Sequence, residues 1–217
     1  MLSSRQKQKL VSIFNHLPFI TKSKKYCVTA SDEYKFVWYR VAKVGTRTIL
    51  STMKDANVSL SVENAYKFYT PSGEYDDYFK FAFVRNPFDR LVSCWLNKVH
   101  NREDNRFGVN PLVWNRMKTF SGFIDFVETL DLEACDVHLR RQASLIDLSN
   151  IDYIGRMENF EADVDEVFRH LGIKNEELVV RNETNSRKHY QEYYNQADVE
   201  RVRKLYQKDC QIFGYSF

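Results

Sequence analysis

Several features that would assign the 217-residue sequence to a class at once are missing from it. No apolar run approaches the ~18–20 residues that a membrane-spanning helix needs, and no leader pattern opens the chain, so the expectation is a soluble, cytoplasmic protein. The four cysteines, Cys27, Cys94, Cys135 and Cys210, stand far apart without C-x-x-C spacing. They indicate neither a zinc site nor a disulfide framework and read as reduced thiols. No His, Asp and Glu cluster has metal-ligand spacing, and there is no internal repeat, low-complexity run or linker. A net charge of +3 is too small to argue for nucleic acid without a localised stripe.

The charge that matters is local. Residues 1–30 carry Arg5, Lys7, Lys9, Lys22, Lys24 and Lys25 and no acid. With Leu10, Val11, Ile13, Phe14 and Leu17 the stretch reads as a basic N-terminal arm, either solvated or docked on the core, or an amphipathic helix in peripheral contact with a membrane or partner. Residues 31–217 then form one domain, long enough to bury a sizeable core.

Two stretches carry chemistry. In the first, the aromatic and β-branched run at residues 36–41 reads as a buried strand, and Lys43-Val44-Gly45-Thr46-Arg47-Thr48 as a tight turn opening a helix over residues 48–55. A helix N-terminus offers unpaired N–H groups and the positive end of its dipole, Gly45 admits an anion close to the backbone, and Lys43 adds a full charge. Thr46 and Thr48 add hydroxyls. The Walker pattern G-x-x-x-x-G-K-[ST] is absent, because the lysine precedes the turn. In the second stretch, residues 79–84 form a strand that ends in Arg85, and Pro87 opens a helix on which Ser93 lies about two turns along. Two anion sites at the carboxyl ends of two strands suit a ligand with two separated phosphate-like groups.

The strand, turn and helix pattern recurs at residues 151–154, where Asn159 reads as an N-cap and Gly172 as a stop, and a last helix spans residues 198–208. A strand near residues 58–68, a turn at Pro71-Ser72-Gly73 and a polar loop over residues 99–118 complete the reading. Trp114 and Phe107 in that loop either anchor it to the core or face an acceptor sugar. Alternating strands and helices predict an α/β single domain, an open parallel sheet flanked by helices.

Arg85-Asn86-Pro87-Phe88-Asp89-Arg90-Leu91-Val92-Ser93 closely resembles the 3′-phosphate motif of the sulfotransferases that use 3′-phosphoadenosine 5′-phosphosulfate, particularly their carbohydrate branch. The turn at Lys43 resembles that family's 5′-phosphosulfate loop. Asp136-Val137-His138 with Gln142, Tyr153-Ile154-Gly155-Arg156-Met157-Glu158-Asn159 and the ending Phe213-Gly214-Tyr215-Ser216-Phe217 are similar too. The resemblance implies a P-loop-like sulfotransferase fold, transfer of a sulfuryl group to a hydroxyl of a carbohydrate or glycan-like acceptor, release of 3′,5′-adenosine diphosphate, and no metal. Several relatives are membrane anchored; this chain shows no such span, which points to a bacterial, cytoplasmic protein.

The resemblance further implies that Lys43 is catalytic and that Lys43, Val44, Gly45, Thr46, Arg47 and Thr48 hold the 5′ end of the nucleotide. Arg85 and Ser93 grip the 3′-phosphate, with Arg156 and Arg187 as further nucleotide contacts. A strand-end arginine paired with Asp89 is the bland alternative for Arg85, and a salt bridge to Glu158 the alternative for Arg156. The general base is His138, oriented by Asp136, or Glu63, since no histidine occurs from residue 50 to 84. A nucleotide phosphotransferase and a non-catalytic nucleotide- or glycan-binding module are the competing classes.

Overall fold

The computed structural model describes residues 25–69, 75–174 and 188–217. The remainder of the basic arm, the Pro71-Ser72-Gly73 turn and Arg187 lie outside the described residues. Five strands form one open sheet in the order β3-β1-β2-β4-β5: β1 Lys25–Ser31, β2 Phe36–Tyr39, β3 Val62–Tyr69, β4 Phe79–Val84 and β5 Tyr153–Arg156. The centre is parallel, β2 pairing with β4 and β4 with β5. Every residue of β2 is buried, and β4 is buried from Lys80 to its end, as a strand covered on both faces requires.

The expected open α/β sheet is present with a parallel centre, and its β1 side makes it mixed. β1 runs antiparallel to both β2 and β3, and it begins inside the stretch read as arm. The β1–β2 turn has no glycine or asparagine to announce it; Lys35 itself takes the left-handed conformation, at φ 53°.

Helices α1 Thr46–Asp55 and α5 Phe160–His170 share the core that encloses the sheet. A second apolar cluster joins α2 Pro87–Trp95, α3 Pro111–Arg116, α4 Phe120–Glu128 and α6 Gln196–Leu205. Trp114 and Phe107 belong to this second cluster, so the polar loop is anchored by them. The final helix breaks at Tyr206 into α6 and α7 Gln207–Phe213. Tyr206 is buried there and donates to Leu139 O at 2.8 Å. Asn159 stands at the N-cap position of α5, as expected, but its side chain makes no capping bond; its amide donates instead to Asp163 Oδ1 at 2.9 Å. Gly172 does end that helix, at φ 67°. No helix among the described residues is long and apolar enough to cross a membrane.

Gly155 sets the spacing between β5 and β4, because a Cβ there would lie 2.5 Å from the Phe83 ring. This close approach keeps the carboxyl ends of β4 and β5 together, Val84 opposite Arg156. It is at this edge that the candidate site is built.

Candidate functional site

After β2 the chain makes two left-handed residues, Lys43 at φ 73° and Gly45 at φ 74°, and enters α1 at Thr46. Thr48 N and Ile49 N both donate to Gly45 O, at 2.9 and 3.2 Å. The N–H groups of Thr46 and Arg47 precede any intrahelical acceptor, and neither a side-chain cap nor an acid occupies the first turn. The positive end of α1 is therefore open to an anion. Val44 is fully buried and can offer only its backbone. Thr46 Oγ1 donates to Val41 O at 3.1 Å and so closes the loop on itself. Thr48 is buried, and Arg47 is exposed at the mouth.

Lys43 is half-buried at this turn. Burial pushes its ammonium down to about 8, and Arg85, Lys98 and Arg47 add repulsion. The opposing attraction from Cys94 would need a thiolate, but burial pushes that thiol up to about 12, so it stays neutral while Lys43 titrates.

Arg85 follows β4 and is bound on both sides. Nε donates to Asp89 Oδ2 at 2.7 Å, Nη2 lies 2.7 Å from the same oxygen in an ion pair, and Nη1 donates to Lys43 O at 3.2 Å. The pairing with Asp89 weighed from sequence is present, and the same guanidinium reaches the Lys43 turn. Three of its five N–H groups are engaged; two remain for a ligand. Ser93 is half-buried on α2, two turns along.

His138 Nδ1 lies 2.7 Å from Asp136 Oδ1, which also accepts from His138 N at 2.9 Å. The hydrogen bond from His138 holds the Asp136 carboxyl below its usual range, with a small share from Lys98. A carboxylate at Nδ1 selects the tautomer that leaves Nε2 as the basic nitrogen. Arg90, 2% exposed, joins this segment to the Lys43 turn: Nε donates to Ala42 O at 3.0 Å, Nη2 to Val137 O at 2.9 Å and Nη1 to Arg140 O at 2.9 Å.

Glu63 is exposed near the start of β3, which β1 separates from β2; its carbonyl accepts from Thr29 Oγ1 at 2.5 Å and from Nη1 of Arg40, the residue that follows β2, at 3.4 Å. Arg156 ends β5, where Nη2 donates to Phe213 O at 2.7 Å and the guanidinium covers the Tyr215 ring at 4.9 Å. Glu158, the alternative partner for Arg156, instead accepts from Asn86 N at 2.6 Å and Tyr215 OH at 2.8 Å. A cleft of about 670 Å³ between Tyr34, Phe79, Tyr153 and His170 lies at the opposite edge of the sheet, away from these residues. Among the described residues no three His, Cys, Asp or Glu are grouped to hold a metal ion.

Three contributors were not foreseen. Arg90 lies off the apolar stripe of α2 and yet is buried. Lys98 sits on a π turn, Leu96–His100, that extends α2 and puts its charge within the influence of Lys43 and Asp136. Asp209 had a signal: it falls on the buried stripe Val199, Val202, Tyr206, Phe213, where an acid is out of place.

The fold thus places an open helix N-terminus after one central strand and an arginine after the next, at the edge of an α/β sheet where ligands commonly bind. The sulfotransferase family matches residues 27–216, and the chain belongs to it. Carbohydrate sulfotransferase 10 of Xenopus laevis is 28% identical over 172 residues, which are 64% of this chain and 48% of that protein. The chain thus spans about half the length of the curated relative it matches. No solved structure gives a significant match.

Proposed function

We propose that the chain transfers a sulfuryl group from 3′-phosphoadenosine 5′-phosphosulfate to a hydroxyl of a carbohydrate or glycan-like acceptor. The observation that carries the reading is the Arg85 Nη1 to Lys43 O hydrogen bond, which ties the open end of α1 to the second anion site. Family membership implies this donor, and the free N–H groups at Thr46 and Arg47 together with the two free N–H groups of Arg85 suit a nucleotide bearing phosphate at both ends. The carbohydrate acceptor is supported by the name of the relative alone.

When bound, the donor supplies an activated sulfuryl group joined through a bridging oxygen to a departing phosphate. The work left to the protein is placement and charge stabilisation. With its ammonium near 8, Lys43 is mostly protonated at pH 7 and is the cation available to offset charge gathering on that oxygen. The Thr46 and Arg47 N–H groups hold the 5′-phosphate; Arg85, with Ser93 on the next helix, takes the 3′-phosphate. His138 Nε2 accepts the acceptor hydroxyl proton, and Asp136 stabilises the imidazolium that results.

Calorimetric titration tests the reading. The purified protein is expected to bind 3′,5′-adenosine diphosphate tightly, to lose that binding in Arg85→Ala, and to bind ATP with magnesium weakly. Preference for ATP would overturn it in favour of a phosphotransferase. Transfer of labelled sulfate across a panel of oligosaccharides then tests the acceptor class.

A further inference from the structure

Arg85 stands one residue past the end of β4, where the sheet no longer supplies a partner for its main chain. The side chain of Gln142 takes that place. Its Oε1 accepts from Arg85 N at 3.0 Å and its Nε2 donates to Arg85 O at 2.9 Å, the exchange a neighbouring strand would make. Gln142 is fully buried and opens a 3-10 turn, Gln142–Ser144. The turn is fixed from below by Asp209 on α7: Gln142 N donates to Asp209 Oδ2 at 2.8 Å and Ala143 N to Asp209 Oδ1 at 2.9 Å.

Burying an amide and a carboxylate side by side costs free energy that an apolar pair would not, unless every polar group is matched. Both of these side chains are matched by backbone, and the chain of bonds they form ends on Arg85 rather than on another core residue. Arg85 projects its guanidinium to the site edge, tied to Asp89 and to Lys43 O, with two N–H groups left over. The direction of those two groups depends on where the Arg85 main chain is held. A guanidinium recognises phosphate through a fork, so a small rotation at its root separates one hydrogen bond from the other.

We propose that Gln142, anchored by Asp209, is a positioning residue that sets the preference of this protein for nucleotides bearing a 3′-phosphate. The proposal rests on the functional reading above and concerns one end of the ligand only. Gln142 and Asp209 bond Arg85 and the 3-10 turn, and the clamp meets the α1 end only at one remove, through Arg85 Nη1 to Lys43 O, so a ligand with a 5′-phosphate alone is expected to respond far less than one with phosphate at both ends.

The test is a comparison of 3′,5′-adenosine diphosphate with AMP by calorimetry, on the wild-type chain, Gln142→Leu and Asp209→Asn. Gln142→Leu keeps the buried volume and loses both bonds to Arg85. Its affinity for the diphosphate is expected to fall at least tenfold while that for AMP changes less than about twofold. Asp209→Asn keeps one acceptor oxygen for the turn and tests the same contrast if the leucine variant does not fold; a smaller fall in the same direction is expected. A merely structural clamp would weaken both nucleotides in proportion, or neither, and an unchanged ratio in the variants overturns the proposal while leaving the wild-type preference intact. A wild-type chain that shows no preference between the two nucleotides would instead overturn the functional reading, and the proposal with it.

Discussion

Lys43 and His138 each stand one residue beyond a carbonyl that Arg90 holds: Ala42 O at 3.0 Å and Val137 O at 2.9 Å. Two segments far apart in sequence are thereby registered through one buried guanidinium, whose third arm takes Arg140 O. A planar fork with donors in fixed directions can serve three acceptors that a compact ammonium cannot.

Removing it should be expensive. Arg90→Met leaves three carbonyls without donors, at ~1–3 kcal/mol for each that finds no replacement. A loss of about 3 kcal/mol or more is expected, seen in a thermal melt as a Tm lower by roughly 6–12 °C for a chain of this size. Arg90→Lys should recover only a minor part. Full recovery by lysine would mean that charge, and not the fork, holds the two segments.

Lys43 trades stability for chemistry. Its folded-state ammonium is lowered from 10.5 to about 8, so the charged form is disfavoured by folding. The sign follows: the cost is fully present below about pH 8 and disappears as pH rises from there toward 10.5, where the unfolded lysine also loses its proton. Discounted for its partial exposure, the penalty is about 1–2 kcal/mol at pH 7. Lys43→Met should therefore melt higher than the wild type at pH 7, with the gain shrinking across pH 8–10.5, while sulfuryl transfer falls by about 10²–10³. A melting advantage that does not vary with pH would show that the substitution acts through packing alone.

How far the sequence carries the reader is itself physical. β2, β4 and α2 were legible because each is apolar over its buried face and is punctuated by Gly45 or Pro87, signals that act within a few residues. The Lys43 turn was legible for the same reason. β1 was not: Lys24 and Lys25 made its start look solvated, and the turn that returns it to β2 uses Lys35 where a glycine would have been the signal. The helix break at Tyr206 was equally hidden, since the apolar stripe continues through it. Arg90, Gln142 and Asp209 act across 47 to 67 residues of chain, and no local pattern records which carbonyl or N–H a buried polar group will find. The two candidate bases illustrate the limit, because spacing could not rank them, and only the fold shows that one is paired with Asp136 while the other sits on β3 with its carbonyl bound by Thr29 and Arg40.

His138→Ala should lower kcat by about 10²–10⁴ with nucleotide affinity unchanged, since the proposed reading gives the imidazole, paired with Asp136, the acceptor hydroxyl and not the phosphates. Glu63→Ala, on the far edge strand, should leave kcat within about twofold. Asp136→Asn should fall between them, losing the carboxylate that supports the imidazolium. The assay is turnover at saturating donor. The opposite ranking of His138 and Glu63 would move the base to β3 and detach the Asp136–His138 pair from catalysis.

Gly45 is constrained twice over. Its φ of 74° disfavours any side chain by ~1–2 kcal/mol, and a Cβ would lie 2.4 Å from the Phe160 ring, the first residue of α5. Gly45→Ala should therefore destabilise by more than the conformational cost alone and should close the approach to the Thr46 and Arg47 N–H groups. The two causes are separable by a double-mutant cycle with Phe160→Leu, which keeps an apolar residue on the α5 side while removing the ring. If the steric clash matters, the double variant is more stable than the sum of the singles predicts, with a coupling of about 0.5–3 kcal/mol. Strict additivity would assign the whole effect to φ. In either case weakened binding of 3′,5′-adenosine diphosphate should persist in the double variant, because an alanine in the left-handed position displaces the cradle whether or not the ring is there.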